Sequence, residues 1–272
     1  MGRVKINMIG GGFQHSVSTN DMEPKFVEWV KGSGLAPISI YIDNGLHLPM
    51  KLETKNYGWL CESKTIIPHL YDWCANNIEV LKNKYIKVFT HDVELAKLSD
   101  IFQITQCSAK SYFKHGEMYP KNKLVSMIAS NKTMCAEHLY RQQMIQKFSG
   151  KCDHFGRGHR PIENKEDGLK DYCFSIVMEN ATYPNMFTEK ITDCFMTGTI
   201  PIYYGISNIG DYFDTNGIIT LNDDFKIEDL SFELYQSKIE SVERNLQLAI
   251  DLLVAEDYIY KNFIELNNKT NK

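Results

Sequence analysis

The stretch Tyr172–Gly205 leaves the chain little freedom of fold. Tyr172-Cys173-Phe174-Ser175-Ile176-Val177-Met178 is an apolar, β-prone run that stops at two polar residues, Glu179 and Asn180. Such a run is read as a buried strand. Pro184 and Asn185 then supply a turn. Thr188 is a natural N-cap, with Glu189 and Lys190 in the first turn of a helix. Gly198 stops that helix, and Pro201 suits the start of the next strand. Strand, turn, capped helix and strand in succession form the unit of a parallel sheet.

The same alternation runs through the rest of the chain. In the first half, Val4–Ile9, Ile38–Ile42, Tyr57–Cys61, Ile86–Thr90 and Ile101–Thr105 read as strands, and Glu23–Lys31 and Ile66–Leu81 as helices. The pattern restarts near Lys123. Leu124–Ser130 and Asp153–Phe155 read as strands around a helix Cys135–Phe148. The polar, Gly-containing segment Gly156–Gly168 reads as a loop. After the Tyr172–Tyr204 unit, Ile218–Leu221 closes the sheet. One or two amphipathic helices follow between Phe232 and Leu266, with Leu246, Ile250 and Leu253 on one face. The expectation is an α/β chain of two Rossmann-like domains. The first is 1–118; the second is 119–272, with its last helices packing back on the first. Ligands of open parallel sheets bind beyond the carboxyl ends of the strands, so the chemistry belongs in the loops after each strand.

Composition excludes several classes. With 272 residues, 43% hydrophobic, 24% charged and a net charge of −4, the chain is no general nucleic-acid binder. No stretch of about 18 apolar residues offers a membrane span. No secretion signal is read at the start, so a cytoplasmic location is expected. Seven cysteines without a CxxC pair read as free thiols. No Asp-x-Asp occurs, and the histidines show no ligand spacing, so neither a metal nor a cofactor is expected. Gly10-Gly11-Gly12 lacks the spacing of a dinucleotide fingerprint.

The helix mouth at Thr188 carries the chemistry. Its free N–H groups and positive dipole potential suit a diphosphate, and Lys190 adds a full charge there. Glu189 can accept hydrogen bonds from sugar hydroxyls. By pattern alone the same residues make an ordinary capped helix with a surface ion pair.

The stretch resembles the signature of glycosyltransferase family 10, the α-1,3/4-fucosyltransferases. There a strand leads to Glu-Asn, a Tyr-containing turn, Thr-Glu-Lys, and a helix ending in Gly-Thr-[Val/Ile]-Pro-[Val/Ile]-Tyr-[Trp/Tyr]-Gly. The likeness covers over thirty consecutive positions here. It implies the GT-B arrangement, two Rossmann-like domains facing across a cleft, with the donor on the second. It implies GDP-fucose as a donor substrate and a glycan hydroxyl as acceptor. Asn180, Glu189 and Lys190 fall on positions that contact ribose and diphosphate. Ser130-Asn131 and Arg141 resemble the family's Ser-Asn strand end and downstream Arg, whose guanidinium would clamp the diphosphate. Glu179, Tyr183 and Thr188 complete the set, and Arg157, beside His159 and Arg160, offers a further phosphate contact. Many bacterial members carry Tyr where this chain has Met186, so Tyr183 or a different GDP-sugar enters as an alternative. A catalytically silent nucleotide-sugar-binding protein is another.

Inverting transfer needs a base for the acceptor hydroxyl. Trp59-Leu60-Cys61-Glu62-Ser63 followed by Pro68 resembles the family's strand–Gly-Glu–x–Pro segment, which makes Glu62 the first candidate. Asp92 and then His91, at the end of Ile86–Thr90, rank behind it. His15 is expected on the acceptor side. With Arg and Lys at the helix mouth, the leaving diphosphate needs no metal.

Overall fold

Short β-branched and aromatic runs become strands wherever both their faces can be covered. Every strand pair among the described residues is parallel, as crossover connections require. The structure is a computed structural model, described here over residues 2–10, 18–19, 22–31, 35–106 and 109–265. These fall into two compact units. One comprises 2–106, 184–186 and 253–265; the other comprises 109–183 and 187–252. Residues 109–118, expected on the first domain, group with the second. Their bonds explain it: Ser111 Oγ and Tyr112 N donate to Asp193, and Glu117 N donates to Met196 O.

The first unit holds a six-stranded sheet: β1 Val4–Ile9, β2 Val27–Val30, β3 Ile38–Ile42, β4 Lys55–Trp59, β5 Val88–Thr90 and β6 Phe102–Ile104, in the order β2-β1-β3-β4-β5-β6. Side chains alternate across it. Ile38, Ile40 and Ile42 join Ile6, Tyr57, Trp59 and Phe89 on one face, against Ala255, Ile259 and Ile264. Tyr41 joins Leu70, Tyr71, Cys74, Leu81 and Leu95 on the other. That second layer is built by helices α1 Pro68–Asn76, α2 Ile78–Lys84 and α3 Val93–Leu98.

Two expectations are corrected here. Glu23–Lys31 is not a helix; its core is strand β2. Phe26, Val27 and Val30 fit either period over so short a run. Asp257 decides the matter by accepting the backbone N–H groups of Lys25, Phe26 and Val27 at 2.6, 2.9 and 3.1 Å. Ile66–Leu81 is two helices, broken at Asn77 (φ −128°, ψ 39°), whose side-chain amide donates to Trp73 O.

The second unit holds β7 Lys123–Ile128, β8 Asp153–Phe155, β9 Tyr172–Met178, β10 Ile200–Tyr204 and β11 Ile219–Thr220, in the order β11-β10-β9-β7-β8. The central β9 is buried along its whole length. Helix α4 Ala136–Lys147 links β7 to β8, and α5 Glu189–Met196 links β9 to β10. Helices α6 Phe232–Ser237 and α7 Ile239–Asp251 follow β11, and α8 Ala255–Ile259 returns the chain to the first unit, continuing as a π-helical turn Tyr260–Ile264. Gly198 closes α5 with φ +65°, and its carbonyl accepts the Tyr235 hydroxyl at 2.8 Å. From β7 the chain goes to one side and from β9 to the other. A crevice therefore opens between their carboxyl ends. No described helix is long and apolar enough to cross a membrane. The six cysteines among the described residues are free thiols.

Candidate active site

At that crevice lies a depression of about 230 Å³, lined by Ala129 and Ser130 after β7, Gly156 and Arg157 after β8, Glu189 and Lys190 at the start of α5, and Arg141 and Lys165. Gly156 explains how β8 and β7 end so close together. It has φ +112°, and a Cβ there would run into Ala129 O.

The helix mouth is built from below. Glu179, 1% exposed, accepts Thr188 N at 2.9 Å and Thr188 Oγ1 at 2.8 Å, and its Oε2 lies 3.1 Å from Lys190 Nζ. Thr188 N-caps α5 through Lys190 N. Burial works against the Lys190 charge, but Glu179 and Glu189 outweigh it and hold the ammonium above its usual range. Glu179 thus supports the mouth and does not line the depression.

Arg141 differs from the other cations. It is 6% exposed on α4, and no carboxylate lies within ion-pair distance of it among the described residues. Its Nη1 reaches Asn180 Oδ1 at 3.4 Å, while its buried Nε has no hydrogen-bond partner. Burial pulls its pKa down from the usual guanidinium value. Met134 N donates to His138 Nδ1, which leaves Nε2 to donate to Asn180 Oδ1 at 3.1 Å. With that oxygen occupied, Asn180 can offer a ligand its amide N–H groups.

The structure thus brings Ser130, Arg141, Arg157, Glu189 and Lys190 round one depression. Asn180 and Thr188 touch residues that line it, Glu179 lies beneath, and Tyr183 is 39% exposed on the preceding turn. Asn131 is exposed, its backbone N–H bonded to Arg157 O at 3.0 Å. Lys165 was not singled out from the sequence, where it is one charge in a polar loop. Its Nζ sits 2.5 Å from the fully buried Asp193 and 3.7 Å from Glu189. Burial opposes the Glu189 charge, but Lys190 and Lys165 overcome it and keep the carboxylate below its usual range.

The first unit carries the other candidates. Glu62 follows β4 and is exposed; its Oε1 accepts Ser63 N at 2.9 Å. Its backbone is pinned by Asp43 at the end of β3. Asp43 Oδ1 accepts Cys61 N and Glu62 N at 2.8 and 3.1 Å, from a left-handed backbone of φ +47°. The sequence shows Asp43 only as a turn residue. Burial, partly offset by these two bonds, pushes its carboxyl up to about 6. Asp92 is 6% exposed, N-caps α3 through Glu94 N and Leu95 N, and pairs with Lys64 at 3.3 Å. His91 is 1% exposed beside Tyr71, and burial pushes it down to about 4. His15 lies outside the described residues. No group of three or more His, Cys, Asp or Glu among the described residues could hold a metal ion.

Residues 118–245 match the model of glycosyltransferase family 10 (fucosyltransferase), C-terminal part. An alpha-(1,3)-fucosyltransferase of Helicobacter pylori is 28% identical over 105 residues, 37% of this chain and 22% of that protein. A fucosyltransferase-like protein of Arabidopsis thaliana is 31% identical over 84 residues, 29% of this chain and 16% of that protein. The matched stretches therefore span under a quarter of these relatives. Among solved structures, an alpha1,3-fucosyltransferase superposes with a TM-score of 0.55 at 12% identity, over 99% of this chain and 90% of that one. The same enzyme class with GDP-fucose gives 0.52 at 12% identity, over 98% and 90%. Anabaena HepE with UDP and glucose gives 0.54 at 9% identity, over 99% and 100%. The fold is thus the GT-B glycosyltransferase fold, two Rossmann-like units of parallel sheet and helices. Within that class, residues 118–245 are similar to the C-terminal domain of glycosyltransferase family 10, the family that the Tyr172–Gly205 stretch resembles.

Proposed function

We propose that this chain is an inverting glycosyltransferase that moves a sugar, fucose first among the candidates, from its GDP ester to a glycan hydroxyl. The observation that carries the reading is Arg141. A guanidinium so buried and without a counter-ion is costly. A diphosphate at the depression would supply both the missing charge and acceptors for the idle Nε–H. The family 10 domain, and the solved alpha1,3-fucosyltransferase with GDP-fucose, support guanosine and fucose as the parts of the donor.

In this scheme Glu189 accepts from the ribose hydroxyls, while Arg141 and Lys190, at the positive end of α5, hold the diphosphate. Glu62, on the first unit, takes the proton of the acceptor hydroxyl. The acceptor oxygen bonds to the anomeric carbon as the bond from that carbon to the β-phosphate oxygen breaks. The electron pair leaves on GDP, whose added charge the same cations stabilise. The positive charge comes from the protein, so the scheme uses no metal or cofactor, and the GDP-sugar is a substrate.

Calorimetric titration with GDP and UDP tests the donor site. The wild type is expected to prefer GDP. Arg141→Ala should weaken GDP binding by about 1.5–3 kcal/mol, the loss of a hydrogen-bonded charge pair. Equal affinity for the two nucleotides, or an unchanged Arg141→Ala, would overturn the reading.

A further inference from the structure

Glu189 is the only carboxylate among the residues that line the depression, and it stands among Arg141, Arg157, Lys165 and Lys190. A carboxylate so placed competes with any phosphate for those cations. Lys165 meets this difficulty. Its Nζ is 3.7 Å from Glu189 and 2.5 Å from Asp193. Asp193 is itself fixed: it is fully buried in α5, and its Oδ1 accepts Ser111 Oγ at 2.5 Å and Tyr112 N at 3.1 Å. The Lys165 ammonium also lies over the Tyr112 ring, 5.4 Å from its centroid. The cation is therefore anchored by Asp193 and the Tyr112 ring, with Glu189 as its other carboxylate neighbour.

We propose that Lys165 is a positioning residue that turns the Glu189 carboxylate toward the donor's ribose diol and away from the cations that take the diphosphate. The inference rests on the donor reading above and deepens it. It assigns Lys165, with Asp193 behind it, the selection of nucleotides with an intact 2′,3′-diol.

Affinities for GDP and 2′,3′-dideoxy-GDP, measured by calorimetry, test it. The wild type should prefer GDP by about tenfold or more, the range of a hydrogen bond to a charged group. In Lys165→Met that preference should fall below about threefold, and Lys165→Arg should restore it. A merely structural loss would weaken both nucleotides together and leave their ratio intact. Lys165→Met leaves Asp193 buried alone, so the double variant Lys165→Met, Asp193→Asn, which removes both charges, guards against misfolding. A wild-type ratio in that double variant overturns the role of Lys165 and leaves the donor site standing. A wild type that binds GDP without discrimination overturns the ribose step. A wild type that does not bind GDP removes the donor reading and this inference with it.

Discussion

Glu62 and Asp92 follow neighbouring strands of one sheet, yet their surroundings differ. Asp92 is committed to two backbone N–H groups and to Lys64, as an N-cap with a counter-ion is. Glu62 is exposed, and its main chain is fixed by Asp43 and by the Tyr71 hydroxyl on its carbonyl. A fixed backbone under an exposed carboxylate suits a base. Glu62→Gln should cut the release of GDP from a GDP-sugar in the presence of acceptor by about 10²-fold and leave GDP affinity unchanged. A wild-type rate would move the proton transfer elsewhere. His91 makes a prediction of another kind. Burial lowers it from 6.5 to about 4, so the fold binds it neutral. Its stabilisation is present above pH 6.5 and is lost as pH falls through about 4, a difference of about 3 kcal/mol. Denaturation of the wild type and His91→Gln across that window should show the variant with the flatter dependence. Parallel curves would mean that His91 is charged in the fold.

At the level of elements, the clearest lesson comes from β2. Its sequence offers apolar residues at spacings that suit a helix, and the helix reading fails because the deciding contact is 230 residues away. Asp257 accepts three successive N–H groups, while its neighbour Glu256 takes the Trp29 indole at 3.0 Å and Thr19 through both backbone and hydroxyl. Asp257→Ala leaves those donors unpaired and should destabilise the first unit by about 3 kcal/mol or more. All three tryptophans, Trp29, Trp59 and Trp73, lie in that unit, so their fluorescence reads its denaturation midpoint. An unchanged midpoint would show that water takes over the three bonds. By contrast, the strand–turn–helix–strand run through β9, α5 and β10 was legible in the sequence almost to the residue. Its signals are local: the apolar run, the Thr188 cap, Gly198 and Pro201.

For the molecule as a whole, the two-sheet α/β plan could be read because alternation of strand and helix survives small errors at the ends of elements. The helix mouth with Arg141 and Lys190 was marked by the family resemblance, since by local pattern alone those residues make an ordinary capped helix. Lys165 and Asp43 could not be read. A lysine in a polar loop and an aspartate in an Asp-Asn-Gly turn look like solvent-facing residues until Asp193 or the Cys61–Glu62 backbone is brought against them. The first unit is also discontinuous: its sheet comes early in the chain, whereas Ala255, Ile259 and Ile264, which cover one face of that sheet, come after the entire second unit. During synthesis, then, the segment made first cannot be finished first. Its nascent sheet must wait with one apolar face uncovered while the second unit leaves the ribosome and folds, and chaperone capture in the cell should fall on that interval.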